Sequence, residues 1–510
     1  MNQVPQDALG SVAASQPAPV GGWNTRDPLD GMPESDAVTM DNMFPEPSKV
    51  SLRNGFTSHA TGMTGDVQTL AEFVEAGQSS CLIAAADNKI WDATSSGAAS
   101  NITGSTTPSS DKWQTVNFGG VLVMVNGADV PQKVDTGPAV SDITYTGSGL
   151  TPADLIDVTS YKSRLYLVEK NTASVWYTAV DSAGGTVTEF ALGSLLKRGG
   201  DLQWVSSWTR DSGSGSQDLL VLCSNKGEVL VYEGDNPGAS NWSLFGRFFL
   251  PVPLGRRSKI EYGSDLLVIT EQGVVPLSKV LAGNEEITLQ FSFITDKIQD
   301  AFRSVAAARG TNFGWEGQLY PRGNFLLINI PVTENTSSHQ YVMNTLTGAW
   351  CRFTGQDAFS WSLLSEELYF GGNGGVVYKS DNGSNDNGSN ISVTLKTAFN
   401  FFNDRILEKR FVLARPHISS DTGTSFAFGL DVDFQDSAVA ATVTATSETG
   451  MDWGDTWDTK EWAGGEFFSR DWRSVSGIGR SAAMKFSGEF KNINLSISAF
   501  NIVYEPGGIF

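Results

Sequence analysis

The chain has 510 residues, 40% of them hydrophobic and 11% aromatic, and a net charge of −21 from 35 Lys+Arg against 56 Asp+Glu. Fourteen tryptophans and 29 phenylalanines supply enough core material to exclude wholesale disorder. The acidic balance argues against a surface that holds nucleic acid by neutralising phosphates or that docks on an anionic membrane.

The first twenty residues, MNQVPQDALGSVAASQPAPV, lack the basic start and apolar core of a secretory signal. No apolar run approaches the ~18 residues of a spanning helix, so no membrane-spanning segment is expected. The three cysteines, Cys81, Cys223 and Cys351, are odd in number, far apart and set in or beside apolar runs. They read as buried free thiols in a reducing compartment. Next comes GGWNTRDPLDGMPESDAVTMDNMFPEP, from Gly21 to Pro47. Its carboxylates, Asp27, Asp30, Glu34, Asp36 and Asp41 among them, follow no metal-ligand spacing. Pro28, Pro33, Pro45 and Pro47 oppose helix and central strand alike. Apolar residues recur every few positions. Residues 1–64 therefore read as an extended arm with first strands, and Trp23, Leu29, Met40 and Phe44 as its candidate anchors at an assembly interface.

From residue 65 a single pattern returns: an apolar run, a tight turn, a second apolar run. It occurs from Leu82 (LIAAADNKIWD), Val121, Arg164, Leu219 (LLVLCSNKGEVLVYEG), Leu266, Phe325 and Glu367 (ELYFGGNGGVVYKSD), spaced roughly 40–60 residues apart. β-Branched and aromatic residues favour pleated strands, and Asn, Gly and Asp supply the turns. Runs apolar on both faces suit strands buried between neighbouring sheets. The spacing predicts a β-propeller of six or seven blades over 65–390, against the alternative of unrelated sandwiches. A short helix is expected near 295–307, capped by Thr295, with Ile298, Phe302 and Val305 on one face. The doubled turn sequence SDNGSNDNGSNIS, Ser380 to Ser392, marks a linker. Six strand-like runs beyond it predict a separate antiparallel, sandwich-like β domain over 391–510. The fold class is thus all-β.

Catalytic and cofactor patterns are missing from the sequence. Three dispersed histidines, His59, His339 and His417, exclude H-E-x-x-H, and neither a P-loop nor a G-x-S-x-G elbow is present. GGNGGVVYK has Val376 where a calcium-binding repeat needs aspartate, and DNGSNDNGSN lacks the glutamate and glycine positions of an EF-hand loop. The expectation is no enzyme, no cofactor and no metal. MDWGDTWDTKEWAGGEFFSRDW alternates Trp453, Trp457, Trp462 and Trp472 with carboxylates. It reads as interface or core packing, with sugar binding as the alternative. Two basic clusters, Arg256, Arg257 and Lys259, and Arg405, Lys409 and Arg410, read as ordinary solvated charge or intersubunit ion pairs.

Several of these segments, in order along nearly the whole chain, resemble the tail nozzle, or tail hub, proteins of short-tailed phages (podoviruses). They are GGWNTRDPLDGMPESDAVTMDNMFPEPSKVSLRNGF, YGSDLLVITEQGVVPLSKVL, LYPRGNFLLINIPV with QYVMNTLTGAWCRF, LYFGGNGGVVYKSDNG and the terminal FNIVYEPGGIF. The resemblance implies a virion structural protein on a propeller platform. It implies a homohexameric ring below the portal and its adaptor, contact with tail fibre or spike proteins, and a channel through which DNA leaves without specific binding. Assembly would take place in the host cytoplasm. The family has no catalytic residues to carry over. The competing reading is a propeller-type carbohydrate-binding protein or glycosidase, and a weaker one is a host-contacting fibre or spike.

Overall fold

The computed structural model describes residues 10–75, 77, 80–211, 216–281, 293–436, 442–444, 467–469 and 471–507. The chain divides into two compact units. One gathers Met1–Thr57, Tyr341–Gly355 and Asp381–Phe510; the other gathers Ser58–Gln340 and Gln356–Ser380.

The second unit is a β-propeller. Blade 1 is Thr69–Phe73, Cys81–Ala86, Lys89–Asp92 and Ser100–Asn101, paired in that order. Blade 2 (114–142), blade 3 (155–191) and blade 4 (202–249) repeat the four-stranded order. Blade 5 has three strands among the described residues, Lys259–Tyr262, Asp265–Thr270 and Gly273–Pro276. Blade 6 has Glu316–Tyr320, Phe325–Thr333 and Ser337–Asn344, the last belonging to this unit up to Gln340. Blade 7 has Ser360–Leu364, Glu367–Gly371 and Val377–Ser380, and takes its outer strand from Phe56–Thr61, in this unit from Ser58. The inner strands adjoin one another in chain order, blade 5 meeting blade 4 through its second strand, and Ser360–Leu364 closes back on Thr69–Phe73. Among the described residues no sheet closes on itself; the ring is made of seven sheets.

Each of the seven sequence stretches contains the second strand of a successive blade, and those from Leu82, Arg164, Leu219, Leu266 and Glu367 run on into the third. Leu219 to Cys223 shows why their runs are apolar on both faces. Leu219, Val221 and Cys223 enter one core with Leu266, Val268 and Val275 of blade 5. Leu220 and Leu222 enter another with Tyr166 and Val168 of blade 3. Alternation is preserved, but both faces are interior, at roughly 1.5–3 kcal/mol gross for each large side chain. The turns use the left-handed region where expected: Asp87 and Asn88 have φ of 55° and 57°.

The helix occupies Gln299–Arg309 after a 3₁₀ turn, Asp296–Ile298. Two details differ from expectation. The Thr295 hydroxyl accepts the Val274 amide at 3.1 Å instead of capping the helix. The buried stripe is Ile298, Phe302 and Ala306, an i, i+4, i+8 row, and Val305 lies only partly buried.

The first unit is built from two sheets. One orders Met43–Pro45, Val50–Leu52, Leu495–Pro506 and Lys409–Ser420, with Phe467–Ser469 and Arg473–Gly479 beyond, and Val12–Pro17 pairs Leu495–Pro506. The other runs Trp350–Phe353, Asp36–Asp41, Ile391–Thr397, Ala482–Phe490, Ser425–Val432 and Thr442–Thr444. The stacked rings of Phe428 and Phe500, 6.1 Å apart, link the two sheets. The expected division at 64 and 390 is therefore corrected. Among the described residues, 10–57 share a unit with the segment from 381 onward instead of forming a separate arm, and Asp36–Asp41 is an interior strand. The prolines flank it: Pro33 precedes it and Pro45 ends a short neighbour, so neither removes one of its ladder bonds.

Candidate functional site

The basic trio in LGRRSKIEYGSD is the hub of the propeller. It sits at the start of blade 5, where the backbone reaches the axis, and its side chains cross to other blades. Arg257 is 9% exposed. It donates to the Gln68 carbonyl (3.1 Å) and Thr69 Oγ1 (2.9 Å) at blade 1 and to the Trp113 carbonyl (2.9 Å) at blade 2. It also pairs with Glu316 of blade 6 at 3.1 Å. Glu316 Oε1 in turn accepts the Trp361 amide of blade 7 at 2.8 Å. Lys259 donates to Asp157 of blade 3 and to the Val205 carbonyl of blade 4, both at 2.6 Å. Arg256 reaches the carbonyls of Asn126 and Lys112. Three cations within four residues thus touch or relay to every blade. The guanidinium suits this, because its planar fork can satisfy several acceptors at once.

The electrostatics follow from burial. Desolvation raises the Glu316 and Asp157 carboxyls, opposed by Arg257 and Lys259 respectively. Desolvation, with Arg257 beside it, pulls Arg256 down to about 10. A cavity of about 180 Å³ remains on the axis, lined among others by Thr69, Gln114, Lys259 and Ser360. Both hub carboxylates, Glu316 and Asp157, sit on cations. Among the described residues no group of three or more His, Cys, Asp or Glu could hold a metal. The sequence reading of this trio as solvated charge is corrected. The one sequence signal was three cations packed beside a strand in a chain only 18% charged.

The Gly21–Pro47 stretch has a structural chemistry of its own in the first unit. Asn42, φ 58° and 1% exposed, accepts from Arg53 Nε and the Thr354 amide, both at 2.8 Å, and donates to Thr354 Oγ1 (2.8 Å) and the Ser392 carbonyl (2.6 Å). Arg53 forms a two-pronged pair with Asp386 at 2.6 and 2.8 Å. Asp41 holds Arg352 the same way at 2.6 and 2.7 Å. Asp36 accepts from Asn24 at 2.8 Å. These carboxylates and amides knit three distant chain segments together.

The sequence-predicted interface residues divide accordingly. Met40 is fully buried, and Trp23 is 8% exposed, edge-on to Tyr341 at 5.1 Å with Arg352 over its ring. Both are interior and correct the expectation of surface anchors. Phe44 is half-buried near Phe353, and Leu29 is exposed. Trp472 is exposed with Arg415 4.5 Å over its ring. Trp453, Trp457 and Trp462 lie outside the described residues. All three cysteines are free thiols. Burial raises Cys223 and Cys351 far above the usual thiol range, whereas Cys81 is partly exposed and raised less.

No family model and no curated protein matches the chain. Among solved structures it is similar to the extracellular domain of a putative one-component system from B. thetaiotaomicron, at 10% identity and TM-score 0.40 over 73% of this chain and 55% of that one. The chain thus spans about half of that structure's length. It is also similar to YCF48 bound to D1 peptide (10%, TM-score 0.38, 69% of this chain and 99% of that one). A third likeness is to the WD40 β-propeller domain of Doa1 (11%, TM-score 0.39, 64% and 96%).

Proposed function

We propose that this β-propeller protein is a non-enzymatic structural component of a short-tailed phage virion. In this reading it is the tail nozzle or hub, a homohexameric ring below the portal–adaptor that extends the DNA-ejection channel. The observation that carries the reading is the hub. At the hub Arg257 pairs with Glu316 and Lys259 with Asp157, and both cations also bond backbone carbonyls of other blades. That is the arrangement of a rigid platform. The ordered resemblance of segments along the chain supports a place for this platform in a phage tail. Because the hub side chains leave a cavity of only about 180 Å³ on the axis, far too small for a duplex, the DNA path would lie between copies rather than through a propeller. Native mass spectrometry with negative-stain imaging of the purified chain, alone and with its adaptor, tests the proposal. Six copies in a ring with an open central channel is the expected result, and a strictly monomeric chain at micromolar concentration with and without adaptor would overturn it.

A further inference from the structure

Blade 4 ends on the strand Ser243–Phe249, SLFGRFF, and among the described residues no strand pairs with its outer edge. Proteins blunt such edges with short strands or with charge. Blades 1 to 3 do so. Their outer strands are Ser100–Asn101, Ala139–Asp142 and Thr188–Ala191, and the last two carry Asp142 and Glu189. The blade 4 edge is seven residues long, and its one charge, Arg247, turns inward onto Glu228 at 3.1 Å and the Leu195 carbonyl at 2.6 Å. Leu244 and Phe245 stand 42% and 38% exposed, Phe245 as the extra residue of a bulge opposite Val231 and Tyr232. The two ends of the strand carry opposite charge. Exposed Arg198 lies 4.5 Å over the Phe249 ring and donates to the Lys226 and Leu250 carbonyls, and Lys197 and Lys226 are exposed with it. At the other end Glu233 accepts the Ser243 hydroxyl at 3.2 Å, and Asp235 accepts from Asn241 at 2.9 Å. Arg210 covers the Phe245 ring at 5.8 Å, nearer the middle. Among the described residues none of Lys197, Arg198, Lys226, Glu233 and Asp235 is in an ion pair.

We infer that this edge pairs with the same edge of a second copy of the chain, antiparallel about a two-fold axis at Gly246, the middle residue of the strand. Six residue steps at ~3.4 Å put the charged ends about 20 Å apart. In the two-fold arrangement Ser243 of each copy lies opposite Phe249 of the other. Each basic end then meets an acidic end, and the apolar middle of both strands is covered. Parallel pairing would set like charges side by side. A partner of one charge sign, nucleic acid or an acidic peptide, would answer one end and be repelled by the other. The order of charge along the edge therefore selects a second copy. The contact is small, two short edges with their charged ends, so the pair belongs to the weak, reversible class. A two-fold contact joins copies in pairs and does not close the ring proposed above, so the two readings stand or fall separately.

The test is cross-linking of the full chain carrying Phe245→Cys and Cys81→Ser with a short bismaleimide, at about 150 mM salt. The remaining thiols, Cys223 and Cys351, are buried. Antiparallel pairing about Gly246 makes position 245 of the two copies diagonal neighbours, ~7–8 Å apart. A covalent dimer is the expected product. Val180→Cys in the same background, 53% exposed on blade 3, is the control and should give about tenfold less. Adding Lys197→Glu, Arg198→Glu and Lys226→Glu to the Phe245→Cys chain should lower its dimer yield about tenfold, because both ends are then acidic. Adding Glu233→Lys and Asp235→Lys instead should do the same, because both ends are then basic. All five substitutions together should restore the yield, since each end again meets its opposite. Loss through misfolding would not be restored in this way, and far-UV circular dichroism reports folding directly. A yield no higher than that of Val180→Cys overturns the inference, as do charge variants that cross-link like the parent or a folded five-fold variant that does not recover. Six-copy rings could form or fail to form under any of these outcomes, and native mass spectrometry of the unmodified chain reports them independently.

Discussion

Arg257→Met is the sharpest test of the hub. Methionine keeps much of the apolar stem and removes every donor, so three acceptors at blades 1 and 2 lose a partner and Glu316 is left ionised and buried. Removing one member of a buried ion pair costs about 3–5 kcal/mol, because the other charge remains desolvated. At roughly 2 °C per kcal/mol for a unit of this size, the melting transition should fall by about 6–10 °C. The pH dependence carries the sign. Desolvation already holds the Glu316 carboxyl above its usual value. A raised folded-state pKa means stability present at acid pH and lost as pH rises through that pKa. Without Arg257 the carboxyl rises further, so the deficit should be small near pH 4.5 and largest near pH 8. Adding Glu316→Gln removes the stranded charge, keeps an acceptor for the Trp361 amide and should recover most of the loss. Calorimetry or urea unfolding followed by tryptophan fluorescence measures all three proteins. A shift under about 2 °C, or a deficit equal at pH 4.5 and pH 8, refutes the argument.

Deleting residues 1–47 should unfold the first unit and spare the propeller, because it removes Asp36–Asp41 from between two strands and takes away the Asp41–Arg352 pair. Limited proteolysis should then leave a resistant core starting near residue 58, and an intact C-terminal region would count against the interior-strand account. In native protein only Cys81 should react with a thiol reagent, with Cys223 and Cys351 reacting on denaturation, since both are buried with thiols held well above the usual range; three reactive thiols at the start would contradict this. The assembled protein should show no appreciable duplex-DNA binding at physiological salt, because a lining drawn from subunits of charge −21 repels a polyanion. Submicromolar binding in a filter assay that weakens steeply with salt would mean a basic channel.

The sequence by itself determined the blades. Leu219 to Cys223 and its six counterparts are read from local pattern, since a strand between two cores must be apolar on both faces whatever its partners are. It also marked the turns, where Asp87 and Asn88 tolerate a left-handed backbone. Only the tertiary structure decided the fate of the charges and of the first 57 residues. Whether Arg257 is solvated or buried depends on acceptors at Gln68, Thr69, Trp113 and Glu316, and nothing in RRSK encodes their distance. Asp36–Asp41, the strand DAVTMD, has too weak an apolar alternation to announce an interior position. It holds that position because Arg352, Thr354 and Ser392 supply partners for Asp41 and Asn42 from segments some 300 residues away. Burial of apolar surface is nearly indifferent to which apolar neighbour provides it, so it is legible one segment at a time. Burial of a charge or an amide requires a particular partner at bonding distance, and only the folded chain brings that partner into place.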